Sequence, residues 1–351
     1  MLFRSVAKQR VLHDNLTHIG KVTPADWLPP LPGPLWGYRR KARLGVRLVP
    51  KKGGVLVGFR ERKRSFVTPL ADCKVLDPRL AALLPALPAL ISGLSCPQRI
   101  PQIEVAAGDR DAALVFRHLD PLTETDRARL QAFGEHHAVQ IHVQAHGPES
   151  VQALWPPRPP LLSYGLPAHG IEILFAANEF TQVNAAVNAR LVDTVVALLD
   201  PQPRETVLDL FCGVGNFTLP LARRAAQVVG MEGSAALVQR AQANAGHNEI
   251  ANADFRHIDL YSEEMPIAWE GLHFEKVLLD PPRSGAMGAI KQLPTAHLPS
   301  RIVYVSCYPA TLARDSEYLV HALGFRLLSA GIVDMFPHTS HMEAIAVFAR
   351  E

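Results

Sequence analysis

From about residue 185 to its end the chain alternates short apolar strands with helices, and this rhythm restricts the fold more than any other feature. The spacing predicts strands over Thr206–Phe211, Val228–Met231, Asp254–His257, Val277–Leu279 and Ile302–Val305, with later ones near Phe325–Val333 and Ala344–Phe348. Helices are expected over Phe217–Arg224, from Ser234 to about Asn248, and after Pro309. Strands that are apolar throughout, rather than at every second position, are covered on both faces, and parallel neighbours need a long crossover between them. The expectation is an α/β, doubly wound parallel sheet. Residues 78–150 read differently, as α+β. A helical stretch runs from Pro78 to Leu94, strands follow over Ile100–Ala106 and Ala112–His118, a helix opens at Asp126, and a strand covers Val139–Gln144. Trp155-Pro-Pro-Arg-Pro-Pro160 reads as extended connector.

At 351 residues the length suits two or three domains with cores of their own. No apolar run approaches the roughly 20 residues that span a bilayer, and the start, Met1-Leu-Phe-Arg-Ser-Val-Ala-Lys8, has too short an apolar core for a secretion signal. The cysteines, at 73, 96, 212 and 307, are scattered and form no CxxC pair, which suits a reducing cytoplasm. No interface pattern is evident, so a monomer is expected. The net charge is only +3, but its distribution is uneven. Residues 38–64 hold Arg39, Arg40, Lys41, Arg43, Arg47, Lys51, Lys52, Arg60, Arg62, Lys63 and Arg64 against one acid, Glu61. Lys41–Val49 and Val55–Phe59 read as two strands joined by a turn at Pro50–Gly54, and Arg43 and Arg47, four apart, share a face. Such a basic ribbon attracts phosphates, making Arg39, Arg40, Lys41 and Arg43 candidate contacts to a nucleic-acid backbone.

The chemistry gathers at strand ends. Arg301-Ile-Val-Tyr-Val-Ser-Cys307 delivers a thiol to the carboxyl end of an apolar run; Asp280-Pro-Pro-Arg283 ends another, and a carboxylate follows at Glu343. A thiol and a carboxylate form a nucleophile-and-base set able to add to an electron-poor ring. Most isolated free cysteines are small buried hydrophobes; here the neighbouring acids favour chemistry. The first strand runs into Asp209-Leu-Phe-Cys-Gly-Val-Gly-Asn216, a glycine turn where this fold class binds ligands. Only Gly213 and Gly215 are present, short of the full dinucleotide fingerprint. The second strand ends at Glu232, placed to accept hydrogen bonds from ribose hydroxyls, and Asp259 follows the third. Acids at successive strand ends suit a cationic adenosyl ligand such as S-adenosylmethionine better than a pyrophosphate.

These motifs resemble the RNA uracil-5-methyltransferases, most closely the branch acting on 23S ribosomal RNA. The resemblance runs from about Trp36 to the end. It rests on Trp36-Gly-Tyr-Arg-Arg-Lys-Ala-Arg-Leu44, Phe180-Thr-Gln-Val-Asn184, the glycine turn and its continuation to Pro220, Asp280-Pro-Pro-Arg283, Val305-Ser-Cys-Tyr-Pro-Ala-Thr-Leu-Ala-Arg-Asp315 and Asp334-Met-Phe-Pro-His-Thr-Ser-His-Met-Glu343. It implies a Rossmann-like, class I S-adenosylmethionine-dependent methyltransferase domain over 179–351 and a smaller α+β RNA-binding central domain over 36–178. A segment over 1–35 would pack on the catalytic domain. Cofactor contacts are implied at Gln182, Phe211, Asn216, Glu232, Asp259 and Asp280, with Cys307 as nucleophile and Glu343 as base. Family members usually carry a small β-barrel module and three close cysteines ahead of this region, which bind a [4Fe–4S] cluster with a fourth that Cys73 matches. This chain starts after that point, and one cysteine cannot hold a four-thiolate cluster.

Carbon 5 of uracil is too weak a nucleophile to take a methyl from a sulfonium unaided. Thiolate addition at carbon 6 activates it, and a base then removes the carbon-5 proton. The target base must leave its stack for that attack. The residues leave other readings open: transfer RNA as substrate, or a relic that binds RNA without catalysis. Amino-group methylation, where an aromatic follows Asp-Pro-Pro, is disfavoured because Arg283 stands in that place and no thiol is needed.

Overall fold

Runs of β-branched and leucine residues build the strands, and the burial of their two faces separates two kinds of sheet. The computed structural model of the protein describes residues 2–61, 64, 66–261 and 271–350, so Arg62 and Lys63 of the basic stretch lie outside the described residues. The chain folds as two units: Met1–Pro34, Gly165–Ile173 and Ala186–Glu351 form the larger, Leu35–Tyr164 and Leu174–Ala185 the smaller.

The larger unit starts with helix α1 (Leu2–His18) and the two-residue strand β1 (Asp26–Trp27). In the smaller unit, β2 (Lys41–Val49), β3 (Gly54–Arg60), β4 (Val67–Pro69), β5 (Gln102–Ala107), β6 (Ala112–Arg117), β7 (Gln140–Gln144) and β8 (Val151–Trp155) form a sheet of order β4-β3-β2-β5-β6-β7-β8. All neighbours are antiparallel except β6 and β7, which a crossover through α4 (Glu124–His137) joins in parallel. The helical stretch expected after Pro78 is two pieces, α2 (Pro78–Ala81) and α3 (Leu87–Ser92). Helix α4 opens at Glu124 rather than at Asp126. Thr123 is its cap, and Asp126 is the acidic partner of a capping box, its carboxylate accepting the Thr123 N–H. Leu44, Val57, Ile103, Leu114 and Phe116 on one face of this sheet pack with Leu80, Leu87, Ile91 and Leu130 of the helices. Alternation within each strand leaves Arg43 and Arg47 on the opposite face.

Two short strands, β9 (Leu162–Leu166) and β10 (Ile171–Phe175), pair with each other. In the larger unit, helix α5 (Ala185–Leu199) precedes β11 (Thr206–Leu210), α6 (Thr218–Ala222), β12 (Gln227–Glu232), α7 (Ala235–His247) and β13 (Ala253–His257). Then come β14 (Lys276–Leu279), α8 (Met287–Lys291), β15 (Arg301–Ser306), α9 (Pro309–His321), β16 (Arg326–Val333) and β17 (Glu343–Ala349). Among the described residues they make an eight-stranded sheet of order β1-β16-β17-β15-β14-β11-β12-β13. Only β17 runs against its neighbours. This is the Rossmann-like doubly wound topology. After β13 the chain crosses back over β11 to lay β14 on its other side, so the order reverses between β11 and β14. A crevice forms at the carboxyl ends of strands where such a reversal occurs. Leu208, Val229, Val277, Leu279, Ile302 and Tyr304 fill the core, and Leu12 and Leu16 bring α1 into it. No described helix is long and apolar enough to cross a membrane.

Candidate active site

The reversal point fixes what stands on the rim of the larger unit. Strands β11, β12, β14 and β15 all end there, carrying Asp209, Glu232, Asp280 and Cys307, and antiparallel β17 begins there with Glu343. The register pairs Ser306 with Ala344, so the next step on each strand sets Cys307 beside Glu343. Residues 36 apart in sequence thus meet because one strand is reversed.

The glycine turn is held open from behind. Phe211, Gly213 and Gly215 have φ of 67°, 56° and 92°, a left-handed region costly for the phenylalanine and free for the glycines. A Cβ added at Gly213 would meet nothing within 4 Å, so the turn faces open space there. Glu232 receives the Gly213 N–H at 3.1 Å and the Ser234 N–H at 3.0 Å, and so ties the turn to the second strand. Asp209 is fully buried; Thr218 donates to its Oδ2 at 2.6 Å, while its Oδ1 has no hydrogen-bond partner. Burial, opposed by the Thr218 hydrogen bond and reinforced by the Asp280 and Glu232 charges, pushes its carboxyl up to about 7. Asn216 is locked in a reciprocal amide pair with Asn188, at 2.8 and 3.0 Å. Exposed Asp259 accepts the Tyr261 N–H at 3.0 Å, and the Tyr261 ring lies 5.9 Å from that of Phe211.

The acid loop after β14 is pinned by a buried network. Asp315 of α9 accepts the Ala286 N–H at 2.7 Å and the Tyr304 hydroxyl at 2.8 Å. Asp280, though it keeps partial exposure, is ringed by protein, and burial lifts its carboxyl to about 7. Glu343 is nearly fully buried, and its Oε2 lacks a partner. Burial and the Asp280 charge push it to about 8. The half-buried Cys307 thiol is raised by burial, then by Glu343 and Asp280, while Arg283 draws it down. The turn carrying it is clipped by Ser306, whose hydroxyl accepts the Tyr308 N–H and donates to the Tyr308 carbonyl, each at 3.1 Å. The thiol is raised rather than acidified, and a carboxylate able to accept its proton stands next to it.

The segment leading into Glu343 hangs on α1. Lys8, buried on a helix that no motif singled out, donates to Asp334 at 2.6 Å, to the Phe336 carbonyl at 2.9 Å and to the His341 carbonyl at 2.7 Å. Lys8, Asn188 and Thr218 were invisible in the sequence because their partners lie 326, 28 and 9 residues away. A buried lysine facing an acid is found only once the helix is docked.

Gln182 lies in the Leu174–Ala185 segment of the smaller unit, whereas the other implied cofactor residues share the larger one. The four basic candidates differ from one another. Arg40 pairs with Asp109, and the Lys41 amine is turned onto the carbonyls of Ala177 and Glu179, where burial lowers it to about 8. Arg39 donates to the Lys41 carbonyl and lies over the Phe59 ring. Arg43, bound to Glu104, keeps a largely exposed side chain. Cys73 is half-buried against the smaller core, and among the described residues no group of three or more His, Cys, Asp or Glu is placed to hold a metal.

The residues of the rim fit S-adenosylmethionine on their own account. Asp209 and Asp280, with their raised carboxyls, and the orphaned Asp209 oxygen favour a cationic group, and the open side of Gly213 leaves room for it. Comparison with known proteins agrees. The sequence profile of the tRNA (uracil-5-)-methyltransferase family matches residues 162–351. The 23S rRNA (uracil(1939)-C(5))-methyltransferase RlmD of Thiobacillus denitrificans is 54% identical over 98% of this chain and 80% of its own length. Its namesake in Nitrosococcus oceani is 53% identical over 97% and 76%. The crystal structure of Pyrococcus abyssi tRNA (uracil-54, C5)-methyltransferase, in complex with S-adenosyl-L-homocysteine, superposes with a TM-score of 0.74 at 22% identity, covering 98% of this chain and 83% of that one. By profile, by identity over nearly its full length and by fold, this chain belongs to the RNA uracil-5-methyltransferase family.

Proposed function

We propose that the protein methylates carbon 5 of one uridine in 23S ribosomal RNA, in the cytoplasm, through a covalent adduct between Cys307 and carbon 6 of the base. The observation that carries the chemistry is the placing of Cys307 beside a buried Glu343 whose carboxyl titrates near operating pH. The ribosomal substrate is argued from the relatives more than 50% identical, which bear that name.

Bound against the glycine turn, S-adenosylmethionine supplies an electrophilic methyl group. Phe211, Asn216, Glu232, Asp259 and Asp280 would hold it. Cys307, as thiolate, forms a bond to carbon 6, and the electron pair of the 5,6 double bond moves to an enolate that makes carbon 5 nucleophilic. Once carbon 5 is methylated, Glu343 takes its proton. The carbon–sulfur bond then breaks, the double bond reforms and Cys307 leaves. The base is unstacked to expose its face to the thiol.

The test is tritium transfer from labelled S-adenosylmethionine to a 23S fragment and, in parallel, to transfer RNA. Wild type should label the ribosomal fragment, and Cys307→Ser should be reduced at least 1,000-fold, of the order seen when a covalent nucleophile is removed. Labelling of transfer RNA alone would move the substrate to that class; unimpaired Cys307→Ser would remove the covalent step.

A further inference from the structure

The open face of the smaller sheet carries a second feature that the active site does not use. A cavity of about 540 Å³ is lined there by Arg43, Gln102, Glu104, Arg117, Gln144 and His146, among others. Register puts these side chains on one face: Arg43 is opposite Glu104, Gln102 opposite Arg117, and Arg117 opposite Gln144, across four adjacent strands. Arg43 and Gln102 converge on one oxygen of Glu104, at 2.8 to 3.1 Å, so that carboxylate is already neutralised. Gln144 is buried and donates to the His146 carbonyl. Arg117 is different. Its Nε is buried without any hydrogen-bond partner, and no carboxylate among the described residues pairs with it.

Arg117 stands in the pocket wall with no carboxylate partner among the described residues, so its guanidinium can take an acceptor from outside the chain. The wall offers two carboxamides, an imidazole at the rim and a net positive charge, the set by which proteins hold a splayed-out base and its phosphate. The volume falls in the usual range of small-ligand pockets and is ample for one nucleotide. Sheet faces receive single-stranded RNA in the same way, with bases laid across neighbouring strands. We propose that this pocket takes an unstacked nucleotide of the RNA substrate, other than the target uridine, with Arg117 as its anchor. The proposal rests on the reading of the protein as an RNA methyltransferase, and it assigns the smaller unit a direct share in choosing the RNA.

The test uses the full chain and a 23S fragment containing the target uridine, with steady-state methylation and filter binding side by side. Arg117→Gln should raise KM and Kd for the fragment about tenfold, with kcat at saturating RNA within twofold of wild type, since one good base or phosphate contact is worth a factor of that order. A merely structural arginine would lower thermal stability and kcat without that split. If Arg117→Gln does not fold, His146→Ala at the exposed rim stands in, with an expected KM rise of about threefold. Unchanged KM and Kd in the folded variant overturn the proposal. So does binding of AMP or UMP in an Arg117-dependent manner with RNA affinity untouched, which would make the occupant a free nucleotide. Should wild type bind the fragment without methylating it, the functional reading fails, and the pocket is judged by Kd alone on the same criterion.

Discussion

The amide variant Glu343→Gln isolates the energetic tension of the site. In an unfolded chain this carboxyl ionises near 4.5, whereas in the folded protein burial and the nearby Asp280 hold it to about 8. The folded state therefore binds the proton more tightly. Below pH 4 both states are protonated and the residue costs nothing. As pH rises the unfolded chain loses its proton first, and stability falls until the folded carboxyl also ionises, above about 8. Integrating between pH 5 and pH 9 with those two values gives about 4 kcal/mol of stability lost, an order-of-magnitude figure from one buried group. The glutamine keeps the volume and cannot titrate. Its own unmet amide hydrogen bonds shift stability by a constant that cancels between the two pH values. Urea denaturation of both proteins at pH 5, 7 and 9 should show the variant gaining steadily on wild type by a few kcal/mol. An advantage that is flat with pH would mean the carboxyl is not held neutral by burial, and the argument for a poised base would fall with it. In the same variant addition survives while elimination stalls, so a denaturing gel should show a slowed band of protein linked to RNA.

Further expectations follow from the same geometry. Because Glu343 must be ionised to accept a proton and burial raises the Cys307 thiol, kcat/KM should climb from pH 6.5 through about 8, and a profile that falls over that range would contradict both roles. Lys8→Met leaves Asp334 buried without its cation, a loss of about 3–5 kcal/mol for a broken buried pair, and frees the segment ahead of Glu343. Stability measured by denaturant should drop accordingly, and kcat should fall more than affinity for RNA; a variant as stable as wild type would show the pair to be dispensable.

Much of the larger unit could be read from the chain because its signals are local. Apolar runs, a glycine turn and acids directly following strands need only neighbours a few residues apart, and they located β11, β12, β14 and β15 to within a residue or two. Helix ends were less legible. The break of Pro78–Leu94 into two pieces and the start of α4 at Glu124 depend on caps and packing rather than on composition. The basic stretch reads as a ribbon that attracts phosphates, yet Arg39, Arg40 and Lys41 turn onto partners of their own, because carbonyls and a carboxylate lie within reach in the fold.

Residue types and their order were enough to nominate a thiol, a base and a bed for a cationic adenosyl ligand. Their meeting was settled by the reversed strand β17, which carries Glu343 back beside Cys307, and by the switch of strand order that lays β14 along β11 and so brings Asp280 to the rim where Asp209 stands. Acidity, too, belongs to the fold: exclusion of solvent by the surrounding core, reinforced for Asp209 and Glu343 by neighbouring carboxylates, moves Asp209, Asp280 and Glu343 into the neutral range. The unmet guanidinium of Arg117 arose in the same way, from strands brought side by side by hydrogen bonds between distant parts of the chain.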